Sequence, residues 1–122
     1  MIIGTGVDVC AVARLEAALG RHPGLADRLF TRAEQTLADG SPRGFNSLAG
    51  RFAAKEALAK ALATPETLAW TDAEVTTGPS GAPVFVLRGG VAAHAEAAGV
   101  RGIHLSISHD GGLAVAFVVC EG

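Results

Sequence analysis

The sequence predicts an α+β fold, a mostly antiparallel sheet with helices packed on one side. Three observations carry that expectation. Helix-like and strand-like patterns follow one another without strict alternation. Two turn signals, "PSG" and "HDGG", each separate two apolar strand-like runs, as hairpins do. One alanine- and leucine-rich stretch, "LAGRFAAKEALAKAL", reads as a single long helix.

Each element can be read in order. "MIIGTGVDV" is a strand, with Ile3, Thr5, Val7 and Val9 on one face and Ile2, Gly4, Gly6 and Asp8 on the other. "AVARLEAALGRH" is a short helix with Val12, Leu15 and Leu19 inward and Gly20 as its stop. "LFTRAEQTLA" opens a second helix, where Thr31 and Glu34 have capping-box spacing and Phe30 stands as a hydrophobic staple. That pair is read as structural. Asp39 to Ser47 is a loop, and the long helix runs from Leu48 to Leu62, ended by Pro65. "DAEVTTG" and "APVFVLRG" are strands, "VAAHAEAAG" is a helix closed by Gly99, and "HLSIS" and "LAVAFVV" are the last two strands.

A chain of 122 residues suffices for one domain, spanning 1–122, with a real core. Half of it is hydrophobic and 18% is charged, which excludes disorder and leaves apolar surface that an oligomer would hide. A net charge of -2 gives no global pull toward nucleic acid or a membrane. No apolar run reaches the roughly 20 residues of a membrane span, and Met1 leads into no signal-like segment, so a cytoplasmic protein is expected. Cys10 and Cys120 lack metal-ligand spacing and read as reduced, buried thiols.

The long helix poses a problem, because Arg51, Lys55, Glu56 and Lys60 interrupt its apolar residues. At about 100° per residue, Glu56 lies about 40° from Phe52 and Lys60, while Arg51 and Lys55 interleave with Leu58 and Leu62. Two plain readings stand: a Glu56–Lys60 ion pair at i,i+4, or side chains that snorkel. Asp8 also needs a reason, since aspartate is a poor strand former; it is an N-cap or a ligand. "SISHD" places Ser106 and Ser108 on one strand face, with His109 and Asp110 as turn residues or functional groups. Two carboxylates, Asp8 and Glu56, are the usual supply for a divalent cation on phosphates. Arg51, Lys55, Lys60 and His109 are cations of the type that hold phosphate oxygens. The residues therefore suggest magnesium-assisted transfer at a phosphate ester, without naming a substrate.

At these residues the chain resembles the small, holo-acyl-carrier-protein-synthase type of phosphopantetheinyl transferase. "GVDV", "GRFAAKEALAKA" and "SISH" at these distances carry the resemblance, which covers essentially the whole chain. It implies the 4'-phosphopantetheinyl transferase fold and a reaction with coenzyme A as co-substrate and Mg2+ as cofactor. The phosphopantetheine arm moves to a serine of apo acyl carrier protein and 3',5'-ADP leaves. The resemblance further implies a homotrimer with interfacial sites and a place in fatty acid biosynthesis. Asp8 and Glu56 match magnesium ligands, and Glu56 matches a residue able to take the serine proton. Lys60 matches the lysine beside the phosphates. Arg51 and His109 match coenzyme A contacts, with Ser108 adding a hydrogen bond and Gly81 and Pro83 forming the turn at the adenine end. Arg14 matches a contact to the carrier protein, which Arg21 and Arg28 would extend. Lys55 belongs to the motif with either a structural or a functional role.

Two features depart from the family pattern. "ATPET", Ala63 to Thr67, stands where a Gly-Thr-Gly type turn is frequent, so contacts from that loop are open. Asp110 stands where a small hydroxyl residue is frequent; paired with His109 it would favour the imidazolium and bring that histidine nearer to acid–base catalysis. Two other functions remain open on the residues alone: a coenzyme A-binding module without catalysis, and a magnesium-dependent phosphohydrolase.

Overall fold

A computed structural model describes residues 1–65 and 68–122. Strand β1 (Ile2–Ala11) pairs with β5 (Leu113–Glu121), and β5 pairs with β4 (Gly102–Asp110), giving the order β1–β5–β4. A separate hairpin joins β2 (Ala73–Thr77) to β3 (Pro83–Leu87), and β3 packs against β4. All of these pairings are antiparallel, as the sequence predicts. Gly111 and Gly112 make the β4–β5 turn with φ of 56° and 80°, a conformation that glycine adopts without steric cost. His109 and Asp110 therefore remain in the strand rather than in the turn.

The long helix α4 (Phe45–Leu62) covers one face of the three-stranded sheet. Small residues on both sides allow a close approach. A Cβ at Gly4 or Gly6 would fall on the carbonyl oxygen of Ala61 or Ala57. What those two glycines admit is thus the backbone of α4. Ala53, Ala57, Ala114, Ala116, Val118 and Cys120 are sealed in the contact. The opposite face of the sheet is bare. Val7, Val9, Leu113 and Phe117 are each more than 40% exposed, with Val7 directly opposite Phe117.

The remaining helices are α1 (Val12–Arg21), α2 (Leu25–Leu29), α3 (Arg32–Gln35) and α5 (Gly89–Ala97). The second helix differs from expectation. The stretch read as one helix from Leu29 is the end of α2 followed by the single turn α3, because Thr31 is extended and starts a new helix. Its capping box with Glu34 is present as predicted. Helix α4 begins at Phe45, three residues before the expected Leu48, with Gly44 as N-cap. It ends on Ala63 at φ 51°, the left-handed position that glycine usually fills. Of the departing loop, Ala63 to Pro65 are described; Glu66 and Thr67 lie outside the described residues.

Candidate active site

Strand β1 and the C-terminal half of α4 bring Asp8, Glu56 and Lys60 together. Asp8 follows Gly4 and Gly6 on the helix-facing side of β1, so its side chain meets the middle of α4. Lys60 Nζ donates to Asp8 Oδ1 at 3.1 Å and to the Val7 carbonyl at 2.9 Å. The predicted N-cap role for Asp8 is not seen, since Ala11 caps α1 without a side-chain bond. Nor does Lys60 pair with Glu56; its partner is across the helix–strand contact. Glu56 is half-buried, and its carboxyl is held above the usual carboxylate range. Burial is the largest cause, the Asp8 carboxylate the next, and Lys60 opposes both.

Arg51 and Lys55 take the other side of the same helix and are buried. Lys55 is structural. Its ammonium donates to Glu34 Oε1 at 2.7 Å and to the Trp70 carbonyl at 3.1 Å. Glu34 also accepts from the backbone N–H groups of Thr31 and Val75. One carboxylate thus ties α3, α4 and β2 together, a role far larger than the predicted cap. Burial lowers the Lys55 pKa and Glu34 opposes the shift.

A basic group lies at the N-terminal end of α4. Arg51 and Arg43 both donate to the Ser47 hydroxyl, at 2.8 and 3.1 Å. Arg43 is further fixed by the carbonyls of Glu34 and Thr36. Among the described residues, Arg51 Nε is buried with no hydrogen-bond partner. Burial lowers the Arg51 pKa, and the Arg43 guanidinium lowers it further. His109 Nε2 lies 2.8 Å from the Asn46 carbonyl, which accepts only, so that nitrogen carries the proton. Gly50 makes room for the ring, since a Cβ there would lie 3.1 Å from His109 Nε2. Arg43, Ser47 and Asn46 escaped the sequence reading. Their partners are hydroxyls and carbonyls, which leave no residue-type signature.

The structure does not pair Asp110 with His109. Alternation along β4 sends neighbouring side chains to opposite faces, and the imidazole is engaged by Asn46 instead. Ser108 is likewise on the other face from His109, opposite Val115 on the bare side of the sheet. Gly81 sits at the β2–β3 turn with φ 87° and Pro83 opens β3, both on the β4 side of the molecule. Arg14, Arg21 and Arg28 are exposed along α1 and α2.

Two clefts meet at Trp70, and Glu56 lines the first of them. One, about 400 Å³, is lined by Glu56, Ala59, Pro65, Leu68, Trp70 and Val91 among others. The second, about 260 Å³, runs from Arg14 and Val9 to Phe52 and Trp70. The rings of Phe52 and Trp70, 5.5 Å apart, stand between them. Trp70 was not singled out from the sequence, where a lone tryptophan carries no spacing signal.

The donor set suits a hard divalent cation shared with a ligand. The Asp8 carboxylate raises the proton affinity of Glu56, and Lys60 already places a positive charge on Asp8. Among the described residues no three His, Cys, Asp or Glu side chains form a closed cage. Magnesium is bound in this open manner, by one or two carboxylates plus waters and substrate phosphates.

A family model, described as the 4'-phosphopantetheinyl transferase superfamily, matches residues 4–118. The holo-[acyl-carrier-protein] synthase of Streptomyces griseus is 57% identical over 122 residues, covering 100% of both chains. The crystal structure of holo-[acyl-carrier-protein] synthase from Neisseria meningitidis superposes with a TM-score of 0.89 at 30% identity, covering 100% of both chains. That of the Helicobacter pylori holo-[acyl-carrier-protein] synthase, in complex with coenzyme A, gives 0.81 at 30% identity, covering 96% of this chain and 99% of the other.

Proposed function

The chain belongs to the 4'-phosphopantetheinyl transferase superfamily, and from that premise we propose how its residues divide the work. It is a phosphopantetheinyl transferase that uses coenzyme A as donor and an acyl carrier protein as acceptor. The observation that carries the residue roles is the convergence of Asp8, Glu56 and Lys60 beside an open cleft. Residues 1–122 act as one catalytic domain.

In this reading Asp8 and Glu56 hold Mg2+. Bound there, the ion neutralises charge on the pyrophosphate of coenzyme A. Glu56 also takes up the proton of the acceptor serine hydroxyl, directly or through a bound water. The serine oxygen forms a bond to the phosphorus bearing pantetheine, the pyrophosphate P–O bond breaks, and 3',5'-ADP departs. Lys60 stabilises the charge that develops on the phosphate oxygens. Arg51, with Arg43 and His109, receives the more distant phosphate, which supplies the unpartnered Arg51 Nε with an acceptor. Gly81 and Pro83 border the adenine, and Arg14, Arg21 and Arg28 meet the acidic carrier. Asp110 has no place in this scheme, and Ser108 contributes only from the bare face.

Two observations support a homotrimer with sites between copies. The bare face of Val7, Val9, Leu113 and Phe117 is contiguous and apolar, as an association surface is. Moreover, Arg51 lies about 140° from Glu56 and about 180° from Lys60 around α4. His109, against Gly50, stands about 15 Å along the axis from Lys60. One copy offers the carboxylates on one flank and the basic group on the other, so a second copy completes the site. We further propose that it works in the cytoplasm and in fatty acid biosynthesis, with neither nucleic acid nor a membrane as partner. No helix among the described residues is long and apolar enough to cross a membrane.

Intact mass of apo acyl carrier protein, incubated with this protein, coenzyme A and magnesium, tests the proposal. Gain of one phosphopantetheine arm is expected, with loss of that gain in EDTA and in Asp8→Ala. Coenzyme A hydrolysed without an acceptor, or bound without change, would overturn it. Phe117→Glu should give a smaller assembly by light scattering and lose activity with it.

A further inference from the structure

Lys60 holds the carboxylate that a metal ion would need. Its ammonium lies 3.1 Å from Asp8 Oδ1, and the side chain is 55% exposed, so it is free to turn away. A Mg2+–oxygen bond is about 2.0–2.1 Å, so an ion on that oxygen would lie within about 5 Å of the ammonium. The two positive charges then repel in a site where, among the described residues, no third carboxylate joins Asp8 and Glu56. Meanwhile the Val7 carbonyl, 2.9 Å away, gives the ammonium a second acceptor within β1. Among the described residues, Lys60 Nζ has these two acceptors and its remaining side faces solvent.

We propose that Lys60 is an internal cation competing with the divalent metal for Asp8, and that a phosphate releases it. The inference rests on the metal and coenzyme A reading above and adds an order to it. Without an anion, the lysine keeps metal affinity low. When a pyrophosphate arrives, the ammonium moves from the carboxylate to the phosphate oxygens and vacates the Asp8 oxygen. Metal and coenzyme A therefore bind cooperatively, each raising the affinity for the other by the same factor. The protein selects the metal–coenzyme A pair over either alone.

The probe is Mn2+, followed by electron paramagnetic resonance, on the full-length protein, Lys60→Met and Asp8→Asn. Each is titrated without and with coenzyme A, in the absence of any acceptor, correcting for Mn2+ held by coenzyme A in solution. Without coenzyme A, Lys60→Met should bind Mn2+ roughly fivefold or more tightly than the parent, the low end of ordinary site-to-site coupling. With coenzyme A that advantage should vanish. Equal gains with and without coenzyme A would reveal a general charge effect and overturn the hand-over. Equal affinity of parent and Lys60→Met, abolished by Asp8→Asn, would overturn the competition while leaving the metal site intact. Absence of Mn2+ binding in every form would overturn the metal reading and this inference with it.

Discussion

Lys55 and Lys60 lie on the same helix, and each donates to a carboxylate from another element. The Lys55–Glu34 pair is 2.7 Å long, and both side chains are at most 1% exposed. The Lys60–Asp8 pair is 3.1 Å long, with side chains 55% and 19% exposed. The first pair is closed: Glu34 spends its remaining acceptor capacity on two backbone N–H groups. The second is open, with a cleft beside Glu56 and solvent over the ammonium. Identical chemistry thus serves two ends. Burial turns one pair into a fastening between elements, while exposure leaves the other able to exchange partners.

Breaking the closed pair should have the largest effect. Lys55→Ala leaves Glu34 buried and uncompensated, and is expected to cost about 3–5 kcal/mol of stability. Urea denaturation measures this; a loss under about 1 kcal/mol would mean the fastening is illusory. On the open side, Glu56→Gln removes the proton acceptor and should cut turnover by about 10²–10⁴-fold, read from carrier-protein mass against time. Lys60→Ala should cost about 10²–10³ in turnover yet stay within about 1 kcal/mol of the parent in stability. A large stability loss there would erase the contrast between the two lysines.

The smallest effect concerns pH and sharpens the same contrast. The Glu56 carboxyl is raised in the folded protein, so its protonated form is the one that folding favours. Its stabilising contribution is present below the unfolded value of 4.5 and is lost as pH rises through the folded value. Metal-free Glu56→Gln should therefore melt a few degrees at most above the parent at neutral pH. The difference should close near pH 4.5 and below. Thermal melts at the two pH values decide it, and a gap that widens on acidification would contradict the burial of Glu56. Stability traded for reactivity at this position is what a catalytic carboxylate implies.

Much of this was legible in the sequence, for reasons that can be located. The glycine turns marked the two hairpins, alternation marked the two faces of β1, and residue type drew attention to Asp8 on β1 and to Glu56 and Lys60 on α4. Wheel geometry also separated Arg51 and Lys55 from Glu56 and Lys60, a division the burial of these side chains reproduces. What stayed hidden depended on distance along the chain. Glu34 has capping-box spacing, which explains it locally and so masked its bond to Lys55, 21 residues away. Helix α2 has five residues, too few for a periodic signal. Adjacency in sequence suggested a His109–Asp110 contact, whereas neighbours along a strand point to opposite faces and His109 engages Asn46.

The crossing of β1 and α4 has a consequence for how this protein can change. Backbone touches backbone where Gly4 and Gly6 meet Ala57 and Ala61, so no side chain of any size fits between them. Asp8 and Glu56 are anchored to that seam, and their spacing cannot be tuned by enlarging a neighbour. In a library that randomises the surroundings of the site, positions 4, 6, 57 and 61 should return almost no survivors. The arginines of α1 and α2 and the β2–β3 turn should return many. New carrier preferences would then arise at the rim, while the geometry of the chemistry is inherited unchanged.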